Sequence, residues 1–298
     1  MNSGLTVANA AVDAHGGVAA RAAGQTDRTA VNSTTVPRRS SRATEILVGN
    51  NLCKRKPQQA DPATNGLLAR LEGEDYDLLM RGAKVVSLKF RTRLVRQDGN
   101  IDAVYFPLSC MVSLLVTTDG RPQVEMATIG KEGVVGASEL IQAQGAMGLN
   151  LVQLPGAAVR VEAGAFRKLL DSRPRVQKLI HQHFYALMRQ ILYGAACNRI
   201  HSMEERCARW LLMTHDRAGQ DTFPLTQDFL SHMLGVRRAT VNLATGMLKK
   251  AGFIGYVRGK ITVIDRAGLE STSCACYQAI VRSYDSLLPP LQKNSTNF

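Results

Sequence analysis

Between Phe223 and Ile264 the chain gathers side chains with the chemistry to read a nucleic-acid duplex. Arg237, Arg238, Thr240 and Asn242 fall together at what the spacing makes the start of a helix. An Arg guanidinium donates in two-pronged fashion to guanine O6 and N7, and an Asn carboxamide pairs with adenine. A Thr meets a phosphate or a thymine methyl. Lys249, Lys250, Arg258 and Lys260 are better suited to phosphates, which set affinity and its salt dependence but carry no sequence information. From Arg237 to Lys260 six residues are basic and none is acidic. Upstream, Thr226 can cap a helix beginning at Gln227, and the first N–H groups of that helix would make a phosphate clamp.

Other chemistry is thin. Cys274-Ala-Cys276 offers two thiols, but no second pair follows to complete four zinc ligands, so an inert pair is expected. Cys197 and His201 are four apart across an expected break between helices, where packing or capping is the expected role. His181 and His183 are two apart and point to different helix faces, so they do not chelate together. Gly136-Ala-Ser-Glu-Leu140 lacks the final Gly of a nucleophile elbow. Neither a P-loop nor a dinucleotide fingerprint occurs. No catalytic constellation emerges, and no enzyme is expected.

The elements that would position the basic residues follow from the apolar pattern. Helix Gln227–Leu234 buries Phe229, Leu230, Met233 and Leu234. Gly235-Val236 supplies a tight turn in which Gly takes the left-handed conformation. A second helix, roughly Arg238–Ala251, turns Val241, Ala244, Met247 and Leu248 inward, and Gly252 ends it. Ile254–Val257 and Lys260–Ile264 pair around Arg258-Gly259 as a wing, completing a winged helix-turn-helix pattern. Ser202 with Glu205 is a capping box that opens the preceding helix at Met203, which buries Cys207, Trp210, Leu211 and Met213 or Thr214.

Before it, adjacent apolar pairs repeat every three or four residues from Val176 to Ala196. The stripe is too wide for one sheet. It predicts a long dimerisation helix, with Leu179, Ile180, His183, Leu187, Ile191 and Ala195 at the interface and a hinge at Asn198–Ser202. A short helix, Ala165–Leu170, precedes it. Short β-rich runs fill residues 84–162: Val85–Phe90, Ala103–Phe106, Met111–Thr118, Gln123–Ile129, Leu151–Leu154 and Ala158–Val161. Asp98-Gly99, Asp119-Gly120 and Pro155-Gly156 punctuate them, and Asp119-Gly120 is a strong hairpin signal. The fold expected is α+β: an antiparallel β-roll or jelly roll, a long helix, and a winged helix-turn-helix. Leu67, Leu68, Leu71, Leu78 and Leu79, at roughly helical spacing, predict a helix ahead of the roll that stops at Gly82.

The 298 residues suggest two domains with appendages. The net charge, 37 − 24 = +13, favours a polyanionic partner, nucleic acid first and an acidic membrane face second. No apolar run reaches the ~18 residues of a membrane span, and the first thirty residues lack a secretory h-region. A cytoplasmic chain with mostly reduced cysteines is expected. Residues 1–62 carry eight Lys/Arg and four Asp/Glu without apolar periodicity, and read as a disordered basic tail. Arg38-Arg39 with Arg42, and Lys54-Arg55-Lys56, are its basic clusters. The divisions expected are the tail 1–62, roll 63–172, dimerisation helix 173–200, winged domain 201–272 and C-terminal extension 273–298.

These residues resemble a known family. Thr226-Gln-Asp-Phe-Leu-Ser-His-Met-Leu-Gly-Val-Arg-Arg-Ala-Thr-Val241, then Gly252-Phe-Ile and Tyr256-Val-Arg-Gly-Lys-Ile261, look like the DNA-binding domain of Crp/Fnr-superfamily transcriptional regulators. Asn198–Leu212 resembles the segment after that family's dimer helix. Val104-Tyr-Phe-Pro107 and Gly130-Lys-Glu-Gly-Val-Val-Gly136 resemble its cyclic-nucleotide-binding-like roll. The resemblance implies a homodimer presenting two recognition helices to a near-palindromic operator in double-stranded DNA, with Arg237, Arg238, Thr240 and Asn242 as base-reading positions and RNA polymerase as a candidate further partner. Ala239 stands where many members place an acidic base reader, and Leu243 where some place a second Arg. Members that bind cyclic AMP carry an Arg that neutralises the phosphate, yet no Arg or Lys lies between Lys131 and Arg160. A phosphate buried there would be unpaired, at a cost of several kcal/mol, which argues against cyclic-AMP binding. Only Cys53 precedes Cys110, too few for the N-terminal iron–sulfur cluster of oxygen-sensing members. The effector and any cofactor are left unassigned. The competing expectation is a ligand-binding or scaffold protein whose basic domain contacts protein or membrane.

Overall fold

The structure is a computed structural model describing residues 60–97, 99–118, 123–137 and 146–287. The expected tail, with its two basic clusters, lies outside these residues up to Gln59.

Seven short strands build the roll: β1 (Lys84–Leu88), β2 (Arg93–Val95), β3 (Ala103–Pro107), β4 (Met111–Val116), β5 (Val124–Ile129), β6 (Leu149–Leu154) and β7 (Gly156–Glu162). They form two antiparallel sheets, in the orders β1-β7-β3 and β2-β6-β4-β5. β6 is buried along its whole length, so its run of Leu and Val faces protein on both sides. Phe106 from β3 meets Phe166 edge-on, ring centroids 5.9 Å apart. That contact anchors α2 (Ala163–Ser172) to the roll.

One expectation about this half is corrected. Leu67–Leu79 is not one helix: residues 62–64 and 68–70 are single 3₁₀ turns, and α1 runs only from Gly73 to Met80. The buried Asn65 explains the break. Its Nδ2 donates to the carbonyls of Pro107 and Gly133, while its Oδ1 accepts from the N–H groups of Leu67 and Leu68. A side chain that satisfies the backbone this way competes with helix formation. The strands flanking Asp119-Gly120 pair antiparallel as expected, but that turn itself lies outside the described residues. Val116 pairs with Val124, the last rung between β4 and β5, leaving a loop whose residues 119–122 lie outside those described.

Pro174, at the first position, opens the 27-residue α3 (Pro174–Ile200), about 40 Å long. One flank lies on the roll, where Gln190 Nε2 donates to the Thr128 carbonyl at 3.2 Å. A second flank is covered by α8 (Cys276–Leu287), in the C-terminal extension, where Tyr284 Oη donates to Gln190 Oε1 at 3.2 Å. Ile180, His183 and Leu187, expected at a contact between two copies, are therefore buried within one chain. Leu179 and Ile191 are half-buried and Ala195 is exposed. The large apolar side chains α3 leaves in water are Tyr185, Met188 and Leu192, which share one face, and Ile200 at its C-terminal end.

The capping box opens α4 (Met203–Ala218) as the sequence predicts: Glu205 N–H donates to Ser202 Oγ, and the Ser202 N–H to Glu205 Oε2 at 2.8 Å. Cys207–Thr214 is buried all round, because α4 is sandwiched between the roll and the C-terminal elements. Then follow β8 (Thr222–Pro224), α5 (Gln227–Leu234), α6 (Arg238–Lys250), β9 (Ile254–Val257), β10 (Lys260–Val263) and α7 (Arg266–Thr272). The three strands form a small sheet in the order β8-β10-β9.

Candidate nucleic-acid interface

Local chemistry fixes the helix-turn-helix. Thr226 Oγ1 accepts from the Phe229 N–H at 3.1 Å, the N-cap that starts α5. Gly235 ends it at φ +65°, a left-handed conformation costly for a residue with a β-carbon. The Arg206 guanidinium, reaching from α4, donates to the Leu234 carbonyl at 2.9 Å. The angle between α5 and α6 is thus pinned at the turn itself.

α6 turns Val241, Ala244, Thr245 and Leu248 into the core. Met247, expected inward, is instead half in water at 48% exposure. It lies on the outer face with Arg238, Asn242, Leu243 and Gly246, all exposed. Leu243, 71% exposed, is an apolar group on this basic face that sequence reasoning did not assign as a contact. Its chemistry fits a thymine methyl. Arg237 is exposed at the N-cap and makes no side-chain cap, and Thr240 is half-buried behind it. With no side chain capping it, the first turn of α6 presents its N–H groups outward, an arrangement that favours an anion.

The wing carries cations to the same end of the domain. Val257 pairs with Lys260, leaving Arg258 and Gly259 as the two turn residues. Both have positive φ, +45° and +74°, as a type I′ turn demands. Gly259 lies over Thr226, whose methyl is 3.6 Å from where a β-carbon would stand. The wing tip therefore sits beside the start of α5. Lys249, Lys250, Arg258 and Lys260 are all exposed.

The clamp expected at the start of α5 is narrower than its sequence implies. The Gln227 N–H is taken by Tyr256 Oη at 3.1 Å and that of Phe229 by Thr226. Asp228 adds an acidic group to the same turn. Thr226 and Gln227 thus serve the turn first, and the anion-favouring helix start belongs to α6.

The winged domain rests on the roll. The Trp210 indole N–H donates to Glu125 Oε1 at 2.7 Å, and Arg217 pairs with Glu132 at 2.7 Å. Burial pushes the Glu125 carboxyl up to about 7, against the pull of the Ser113 hydroxyl, the Trp210 N–H and the charges of Arg209 and Arg217. Phe229 of α5 meets Phe90 with ring centroids 5.7 Å apart. In the roll interior, Ser113 Oγ donates to Gln153 Oε1 at 2.7 Å. Much of the segment where family members hold a cyclic phosphate, residues 138–145, lies outside those described.

Comparison with known proteins decides the assignment of this half. The family model described as the Crp-like helix-turn-helix domain matches residues 205–272. This is a Crp-like helix-turn-helix domain. Over about two thirds of the chain the fold is also similar to that of solved regulators. A crp/fnr-family transcriptional regulator from Eubacterium rectale shares 15% identity over 69% of this chain and 96% of its own, with a TM-score of 0.55. FixK2 from Bradyrhizobium japonicum shares 17% over 65% and 98%, at 0.56. The c-di-GMP-responsive global regulator CLP of Xanthomonas campestris shares 13% over 64% and 99%, at 0.54. No curated protein sequence matches the chain. Among the described residues no helix is long and apolar enough to cross a membrane. Past residue 272, where the family match ends, the chain forms α8, which the sequence reading did not place. Tyr277, Ile280, Val281 and Tyr284 carry the helical spacing that would have found it.

Proposed function

We propose that this chain is a cytoplasmic, homodimeric transcriptional regulator that reads a near-palindromic operator through α6, with RNA polymerase as a further partner. The observation that carries the reading is the outward face of α6. Arg237, Arg238, Asn242 and Leu243 are exposed around a helix start that no side chain caps, with Lys249, Lys250 and the wing cations flanking it. Arg238 and Asn242 are one helical turn apart, the spacing at which two side chains of one helix reach neighbouring base edges. Thr240 sits half-buried and its hydroxyl suits a phosphate better than a base.

The dimer contact that best fits the exposed residues is Tyr185, Met188 and Leu192 on α3, extended by Ala195. Two copies joined there would place their α6 helices on successive major-groove faces, about 34 Å apart. The test is binding to sites selected from random DNA, measured by fluorescence anisotropy across a salt series. Arg238→Ala should cost about 1–3 kcal/mol on the selected site and relax preference at one base position. Lys250→Ala should weaken selected and random DNA alike and lower the salt slope by about one. Equal losses for both variants on both DNAs would overturn the division of roles.

A further inference from the structure

Four side chains that the DNA reading leaves unused meet at the C-terminal end of α3. Cys197 stands in its last turn and His201 caps it; the His201 N–H donates to the Cys197 carbonyl at 3.1 Å. Cys274 and Cys276 bracket the start of α8, where the Tyr277 N–H donates to the Cys274 carbonyl at 3.0 Å. One donor atom from each of the four lies within 4.8 Å of all the others. Cys197 Sγ is 3.4 Å from Cys274 Sγ, and Cys276 Sγ is 3.7 Å from His201 Nδ1. A tetrahedral zinc ion bonded at ~2.3 Å to sulfur and ~2.0 Å to nitrogen needs edges of about 3.8 Å between sulfurs and about 3.6 Å from sulfur to nitrogen. The 3.4 Å and 3.7 Å separations fall within a few tenths of an ångström of those edges, and the other four are no longer than 4.8 Å.

The surroundings point the same way. The three cysteines are 0%, 4% and 6% exposed and form a small buried cluster of their own, which Tyr193 joins to the main core. Apolar packing alone gives no reason for three thiols and an imidazole to converge there. Beside Cys197 lies the buried Arg209, whose Nε has no hydrogen-bond partner and which no carboxylate pairs within 4 Å among the described residues. Three thiolates around a divalent ion carry a net charge of −1, opposite in sign to this guanidinium. Arg206, also part-buried, faces Cys197 from the same helix. A disulfide between Cys197 and Cys274 would use two of the four groups and leave Cys276 and His201 unexplained.

We propose that Cys197, His201, Cys274 and Cys276 form a structural zinc site that fastens the C-terminal extension to the hinge beneath the winged domain. Four protein ligands fill the tetrahedron, so no position is open for catalysis. Binding releases the thiol protons to solvent and changes no oxidation state. The ion closes a loop from residue 197 to residue 276 that contains the entire helix-turn-helix. Occupancy thereby holds the Ser202 cap and α4 in register with α8. The site stands on its own geometry; only its effect on operator binding rests on the function proposed above.

The test uses the full chain purified under reductant and without chelator. Elemental analysis and native mass spectrometry should find one zinc per chain. Cobalt(II) in its place should give the visible bands of a tetrahedral ion with thiolate charge transfer. Cys276→Ser and His201→Ala should each weaken zinc binding by about 100-fold or more. Because a cysteine variant can disturb packing, the cobalt spectrum of the unaltered chain stands as the independent measurement. A reduced, folded chain that takes up neither zinc nor cobalt overturns the site. So does metal uptake that persists unchanged in the Cys276→Ser, His201→Ala double variant. Zinc bound at unit stoichiometry by a chain indifferent to DNA sequence upholds the site and removes the operator reading.

Discussion

Single atoms set several limits in this protein. A β-carbon on Gly133 would stand 2.3 Å from Cε1 of His183, and the surrounding close-packed core leaves that ring nowhere to go. Gly133→Ala should therefore lose about 1–3 kcal/mol of stability in urea titration. Glu125 gives a pH signature. Its carboxyl titrates near 7 when folded, against an ordinary 4.5, so the folded chain holds a proton that the unfolded chain has released between those values. Stability should fall as pH rises from 4.5 to 7 and level off above, by roughly 3 kcal/mol from this group at most. Glu125→Gln should flatten that slope in denaturation curves measured across the range. The exposed basic residues of α6 and the wing were legible in the sequence because exposed basic side chains need no partner to be recognised. The burial of Glu125 was not, since it arises from Trp210, far away along the chain.

Elements were legible where their own side chains dictate them. α5 and α6 follow from amphipathic spacing and a left-handed Gly, and the capping box marks the start of α4. The wing follows too, and its tip offers a test. Arg258 holds φ +45°, a region Gly occupies without a β-carbon penalty. Arg258→Gly should keep or slightly raise the melting temperature while weakening binding to any duplex, which separates fold from phosphate contact. What failed was whatever depends on a distant neighbour. The broad apolar stripe of α3 was correctly wide, but the sequence does not say which flank α8 covers. Ile180, His183 and Leu187 therefore looked available when they are inward. On the outward face, Met188→Glu with Leu192→Glu should convert a dimer to monomers in sedimentation velocity while leaving the helical circular dichroism intact. Dimers that persist would move the contact elsewhere. The Cys/His tetrad was illegible for the same reason, since Cys197 and Cys274 lie 77 residues apart.

At the scale of the whole molecule, roll and winged domain are joined by one continuous apolar core, by the polar links of Trp210 to Glu125 and Arg217 to Glu132, and by the meeting of Phe90 with Phe229. Arg217 and Glu132 are both largely buried, so removing one partner alone leaves an uncompensated charge. Glu132→Gln should destabilise by several kcal/mol, more than truncation of an exposed pair such as Arg175 with Glu72, which is worth little. Calorimetry of both variants would rank them.

The seat of α8 against α3 also bears on how the molecule is made. Synthesis runs from the N-terminus, so the ribosome delivers the long helix well before the segment that shields its Tyr284-facing flank. Throughout translation of the intervening winged domain, the side chains of that flank, His183 and Gln190 among them, wait for Tyr284 to cover them. A nascent chain halted at residue 272 would offer two sticky flanks instead of one, and should recruit chaperones or self-associate out of register until its closing helix arrives.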